Sequence, residues 1–213
     1  FTDPALKHVG EPSPGKVQDL NGYDIIFTNN PVPDATPAQI PHQIETYDKT
    51  TGAIVMWVRV SSMSATQNTI YMYYGNSSVT ASQENLPANV WSNGFQGVWH
   101  LKETAGGAGA IKDSTVNVNN ATDFNTPTFG AAGQANGSIG LDGASQYLEV
   151  PYHTSLNLLG ATLTISGWIY PTTGATWASV VDKPFTPTHD PPYFDRGVIR
   201  SENNKLDLYV GCA

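Results

Sequence analysis

Alternation of apolar and polar residues with a period of two is densest between Leu141 and Pro171, LDGASQYLEVPYHTSLNLLGATLTISGWIYP. Gln146 to Val150 sets Tyr147 and Glu149 on one side of a strand and Leu148 and Val150 on the other, and Pro151 ends the ladder by removing a donor. A second, stronger pattern runs from Leu163 to Tyr170. Leu163, Ile165 and Ile169 share one face with Gly167, while Thr162, Thr164, Ser166, Trp168 and Tyr170 share the other.

The region before about residue 76 predicts strands as well. Tyr23 to Thr28 is a short apolar strand introduced by Asn21-Gly22, a pair that accepts positive φ. His42 to Tyr47 and Ala53 to Val60 form a hairpin around DKTTG, in which Asp48 starts the turn and Gly52 takes the left-handed position. In its second arm Ile54, Met56, Val58 and Val60 face one way, and Val55, Trp57 and Arg59 the other. Thr69 to Gly75 closes the segment, whereas the four prolines between Asn29 and Pro41 predict a loop. Asn76 to Phe95 is polar and weakly periodic and reads as a linker, with Trp91 as a residue that tacks it onto a domain.

Composition narrows the class. Charged residues make up 13% of the 213, against roughly a quarter in ordinary soluble domains, and Gly (20) and Pro (15) are plentiful, as in many-stranded surface proteins. Ten basic residues, scattered singly, stand against 18 acidic ones for a formal charge of -8, which argues against nucleic acid and anionic membrane as partners. The single cysteine, Cys212, allows no disulfide within the chain. No apolar run approaches a membrane span, and the chain opens on FTDPALK without initiator Met or signal peptide, as a processed protein or a fragment does.

Two resemblances follow from these stretches. The pattern LDG…QYLEVP…SLNL…LTISGWIYP, with VWHLKETAGGAGAIKDSTVNVNN before it and VVDKPF after it, resembles the laminin-G-like, concanavalin-A-like sandwich modules of bacterial surface proteins from about Val98 onward. YDIIFT…IPHQIETYDKTTGAIVMWVRV…TIYMYYGN is similar, over residues 19 to 76, to an uncharacterised bacterial domain that precedes such modules. Some proteins of that architecture carry a TolQ/ExbB-type proton-channel region and others a surface-anchoring tail. The resemblance implies an all-β fold, a small β-sandwich at 1–76, a linker at 77–96 and a concanavalin-A-like jelly-roll at 97–213. It is specific as to fold and says little of activity, because this sandwich hosts lectins, adhesion modules, sensors and hydrolases.

A glycosidase needs two carboxylates roughly 5–10 Å apart, supplied on a strand by acids at i and i+2 or i+4. Glu149 and Asp207 each stand alone in their strands, and the paired acids of hydrolases with this fold are missing. His8, His42, His100, His153 and His189 have no metal-site spacing. Calcium is the one ion with a case. Asp113, Ser114, Asn117, Asn119 and Asn120 align with the oxygen-rich loop of the sandwich modules, with Val116 and Val118 in place of both glycines. A β-branched residue resists positive φ, and the same residues read equally as an ordinary polar turn. Asp190 and Asp195 lie in a second such loop.

Ligand contacts in such modules use aromatic rings beside amides or carboxylates, and Trp177, Tyr193 and Phe194 lie in or beside predicted loops. Trp57, Trp99 and Trp168 lie within strands and are expected in the core. The expected work is non-catalytic recognition of polysaccharide or a surface glycoprotein at the cell surface or outside the cell. The alternative is a structural or sensor segment of an assembly, periplasmic if it belongs to a channel protein. A hydrolase comes third. Because the strands that would complete both sheets of the second domain are not found before Ala213, the open edges and apolar faces are expected to be covered from outside this numbering, by the same polypeptide or by strands shared with a neighbouring chain.

Overall fold

The computed structural model describes residues 1–29, 31, 39–66, 68–84, 87–156, 164–172, 178–183, 194–200 and 206–207. Its elements in chain order are β1 (Ile26–Thr28), β2 (Gln39–Ile40), β3 (His42–Asp48), β4 (Ala53–Val58), β5 (Tyr71–Tyr73) and a single helical turn α1 (Pro87–Val90). Then come β6 (Thr122–Phe124), β7 (Thr128–Ala132), β8 (Gly137–Gly140), β9 (Tyr147–Glu149), β10 (Ala178–Lys183), β11 (Phe194–Arg200) and β12 (Leu206–Asp207). The fold is all-β. The chain forms two compact units, the first made of residues 1–102 with 113–118 and 135–137, the second of the remainder.

The first unit sets a three-stranded sheet, β2-β1-β5, against the β3–β4 hairpin. Leu6, Val17, Ile25, Phe27 and Ile54 are buried between them, and Ile40, Tyr47, Met56, Val58, Met72 and Tyr74 pack around that centre. The hairpin turn is built from local chemistry. Asp48 accepts from the Thr50 amide (2.8 Å) and the Thr51 hydroxyl (2.7 Å), and the Gly52 amide donates to the Asp48 carbonyl at 2.8 Å. Gly52 sits at φ +74°, and a Cβ there would lie 2.1 Å from the Asp3 carbonyl oxygen, so no other residue fits. The strand expected over Tyr23–Thr28 is shorter, because Asp24 serves as a buried anchor instead. Its carboxylate accepts the Gln18, Asp19 and Gly75 amides at 3.0, 3.1 and 2.7 Å.

In the second unit β6 pairs with β9, β7 with β8, and β10-β11-β12 form an antiparallel sheet. Ile111 and Ala121 are its buried hydrophobics among the described residues, joined by a two-way backbone bridge (3.1 and 2.8 Å). β9 confirms the strand expected around Gln146–Val150. The stronger expectation, a strand over Leu163–Tyr170, is corrected: Leu163 lies outside the described residues, and Thr164–Tyr170 is in no strand. A strand persists only where its backbone groups find a ladder, and the described part of this segment has none. Trp168, expected in the core, is 79% exposed.

Candidate functional site

The polar centre of the first unit begins with a fault in a strand. From the turn, β3 and β4 pair Asp48 with Ala53, Tyr47 with Ile54 and Thr46 with Val55, after which the register slips so that Ile44 faces Met56 and Gln43 faces Trp57. Glu45 is the extra residue. Unbroken alternation from the core residue Tyr47 would send Glu45 and Gln43 into the core; the bulge turns them to the opposite face and brings His42 inward. There His42, fully buried, meets the Phe27 ring edge-on at 5.6 Å.

The face that receives Glu45 and Gln43 is covered by the segment that follows α1. Trp91 donates its indole N–H to Gln43 at 2.8 Å, and Gln43 donates to Ser114 at 3.3 Å. The Trp91 ring lies 5.3 Å from Trp57, 5.2 Å from Phe95 and 5.6 Å from His100. Around Glu45 three donors converge: Trp57 Nε1 at 2.8 Å, His100 Nδ1 at 2.8 Å and Lys102 Nζ at 3.4 Å. Its backbone oxygen also accepts from Lys102 and from Asn136, each at 3.2 Å. Leu101, between His100 and Lys102, has φ +57°, an uncommon conformation for leucine.

The Glu45 side chain is 1% exposed. Burial by itself would raise its pKa, but hydrogen bonds from His100 and Trp57 and the charges of His100 and Lys102 outweigh it and hold the carboxyl down at about 2. It is therefore ionised across the working pH range and does not release a proton. His100 Nε2 is buried and has no hydrogen-bond partner among the described residues. Such an arrangement fixes structure.

The residues singled out for calcium fall in both units, Asp113 and Asn117 in the first, Asn119 and Asn120 in the second. Asp113 is buried, and its carboxylate accepts the Val98 amide (2.9 Å), the Thr115 amide (2.9 Å) and the Thr115 hydroxyl (2.7 Å). Asn117 donates to the Gln96 carbonyl at 3.0 Å, and Asn119 donates to the Ser155 hydroxyl at 2.9 Å. Val118 does take positive φ, +54°, whereas Val116 does not. Asp113 thus caps its own loop from within, its carboxylate already accepting from three protein donors. No group of three or more His, Cys, Asp or Glu that could hold a metal occurs among the described residues.

Of the expected ligand-contacting residues, Trp177 and Tyr193 lie outside the described residues, as does Asp190. Phe194 opens β11, opposite Lys183, and Asp195 follows it in the strand. Other rings are available instead. Trp168 and Tyr170, two residues apart, are 79% and 91% exposed. Phe124 and Tyr147, opposite one another on β6 and β9, stack with centroids 4.7 Å apart at 7°. Trp57 is half-buried and belongs to the Glu45 centre.

Glu45 was not singled out from the sequence. HQIETY places polar residues at 43 and 45, but nothing in that string marks a bulge, and the partners at 91, 100 and 102 lie far along the chain.

Comparison with known proteins places the first unit in context. Residues 21–98 match the model of a family described as a domain of unknown function, DUF2341. No curated protein and no solved structure matches the chain. The matched span contains β1 to β5, α1, Glu45, Trp57 and Trp91, and stops short of His100 and Lys102.

Proposed function

We propose that this chain is a non-catalytic recognition module of a cell-surface or extracellular protein, with polysaccharide or a surface glycoprotein as its ligand. The observation that carries the reading is the pair Trp168 and Tyr170, whose rings stand open to water two residues apart in the second unit. Exposed rings at such spacing stack on sugar faces or anchor a protein partner, and a single exposed pair of that size is otherwise a solubility liability. The laminin-G-like resemblance of this half supports the same reading by analogy of fold. Among the described residues the carboxyls with displaced pKa values, Glu45, Asp48 and Asp142, are all displaced downward, which suits acceptors of fixed hydrogen bonds. Calcium at the 113–120 loop belongs to this reading only as a proposal, since it has to compete with the protein donors on Asp113.

A glycan array probed with the intact chain, followed by Trp168→Ala and Tyr170→Ala, tests the proposal. Either substitution is expected to weaken binding by about tenfold or more. Unchanged affinity in both variants, or release of reducing ends that stops when one carboxylate is mutated, would overturn it. A structural role in a surface assembly is favoured by a separate observation: Ile165 and Ile169, on the opposite side of the same alternation, are 42% and 46% exposed. Self-association that rises with concentration and is abolished by Ile169→Ser would turn the reading toward assembly.

A further inference from the structure

Two side-chain nitrogens meet at the backbone oxygen of Glu45. Lys102 Nζ and Asn136 Nδ2 each donate to it at 3.2 Å, so the two nitrogens cannot stand further apart than twice that distance. The same Lys102 nitrogen lies 3.4 Å from Glu45 Oε1, on a carboxylate that is 1% exposed. An amine, a carboxamide and a buried carboxylate are thus brought to one place from three stretches of the first unit, at 45, 102 and 135–137. The backbone holds them there. A Cβ at Gly137 would lie 2.7 Å from Lys102 Cα and 3.2 Å from Lys102 Cβ, so glycine is what lets the residue after Asn136 press so closely on Lys102.

The reaction open to these three groups is transamidation. A lysine amine is a nucleophile once it has lost its proton, a carboxamide carbon is an electrophile with ammonia as its leaving group, and a carboxylate in contact with the amine accepts its proton. In water the exchange is slow, and holding the partners side by side in one fold is what makes it accessible. Trp57 and His100 also donate to the Glu45 carboxylate and fix it in position.

We propose that Lys102 and Asn136 join through an isopeptide bond, with Glu45 as the proton carrier. The Lys102 side chain, partly exposed, gives up one ammonium proton to water, and the lone pair of Nζ forms the new bond to Asn136 Cγ. As that bond forms the nitrogen becomes acidic, and its extra proton passes to the Glu45 carboxylate. Glu45, ionised at rest, holds the proton only in passing: the bond from Cγ to Nδ2 breaks, the departing nitrogen takes the proton up, and ammonia leaves. In solution the ammonia collects the first proton as ammonium. Nothing is oxidised or reduced, and no co-reactant is consumed. The product ties residue 102 to residue 136 covalently, a closure that the single cysteine cannot supply and that thiols do not reverse.

Intact-mass spectrometry of the folded full chain, followed by tryptic digestion, tests the bond. The chain is expected to be lighter than its sequence by one ammonia, and the peptides carrying Lys102 and Asn136 are expected as one joined species although trypsin cuts at Lys112 between them. Lys102→Arg keeps a positive charge beside Glu45 and Asn136→Ala removes the electrophile; each is expected to restore the full mass and to melt below the linked chain. Folded Glu45→Gln is expected to link more slowly by about a hundredfold or more. Should that variant fail to fold, the wild type and the other two variants still decide the matter. A full mass in the wild type overturns the proposal. So does a loss of ammonia that persists in Lys102→Arg, because it would place the reaction on the Gly137 amide as ring closure within the backbone. Linkage at an unchanged rate in folded Glu45→Gln would remove Glu45 from the step and overturn the proposal as stated.

Discussion

The two halves of this chain carry the same alternation and reach different ends. In the first unit the apolar side of the hairpin meets Leu6, Val17, Ile25 and Phe27, all buried. In the second, Ile165, Trp168, Ile169 and Tyr170 alternate at least as regularly and stand in water. The difference is the facing layer: β2-β1-β5 lies across the core from the hairpin, whereas among the described residues Thr164–Tyr170 has no ladder and no cover. Alternation states which side chains could be buried together; burial itself needs a second surface to displace the water.

The largest expected effect falls on the polar centre. Glu45→Ala leaves the Trp57 indole N–H, His100 and Lys102 without their common acceptor, and removal of one partner of a buried ionic group costs about 3–5 kcal/mol. Denaturant unfolding followed by tryptophan emission measures it. A loss under about 1 kcal/mol would mean that the centre is dispensable and that apolar packing alone separates the first unit from the second.

Next come paired truncations that set the halves against each other directly. Ile25→Ala, at a fully buried position, is expected to cost about 2–4 kcal/mol, and Ile169→Ala within about 0.5 kcal/mol of nothing. Comparable losses at both positions would show that Ile169 is covered in solution, and the contrast between the units would disappear.

A smaller effect is expected from acid. The Glu45 pKa is lowered in the folded chain, from about 4.5 to about 2, so the ionised form favours folding. Its contribution is complete above pH 4.5 and is lost as the pH falls from there toward 2, with the first unit affected first. Thermal melts across that window, compared between the wild type and Glu45→Gln, isolate it; parallel curves for the two proteins would show that other carboxyls carry the acid response.

The smallest effect expected is that of calcium. Three protein donors already occupy the Asp113 carboxylate, so calcium has to compete with them and should raise the melting temperature only slightly, and superimposed curves with calcium and with chelator would remove the ion from the proposal. A rise with calcium that chelation reverses would show that the ion displaces those donors and stabilises the native state by mass action.

Short-range chemistry was legible from the sequence. The DKTTG turn formed as read, because Asp48 and Gly52 act on amides within a few residues of themselves and need nothing distant. β9 formed where Tyr147, Leu148 and Glu149 alternate, and the all-β class followed from the same local preferences. The reading of Trp57, Trp99 and Trp168 as core failed at Trp168, which is exposed, and held only in part at Trp57 and Trp99, which are half-buried, because strand pattern and burial are separate facts.

What only the tertiary structure decided is the polar centre and the free edge. A bulge at Glu45 costs one residue of register and leaves no mark in HQIETY, yet it decides whether Gln43 and Glu45 enter the core or leave it. Their partners arrive from Trp57, Trp91, His100, Lys102, Ser114 and Asn136, up to 91 residues away, and the positive φ of Leu101 lies between His100 and Lys102. The outer edge of β4 at Met56 and Val58, unpaired among the described residues, is equally silent in sequence, since an edge exists only by reference to which strands lie beside it. Turns and alternation are set by neighbours along the chain, and the sequence by itself determined those; register, edges and the company of a buried charge are set by neighbours in space, and only the fold determined these.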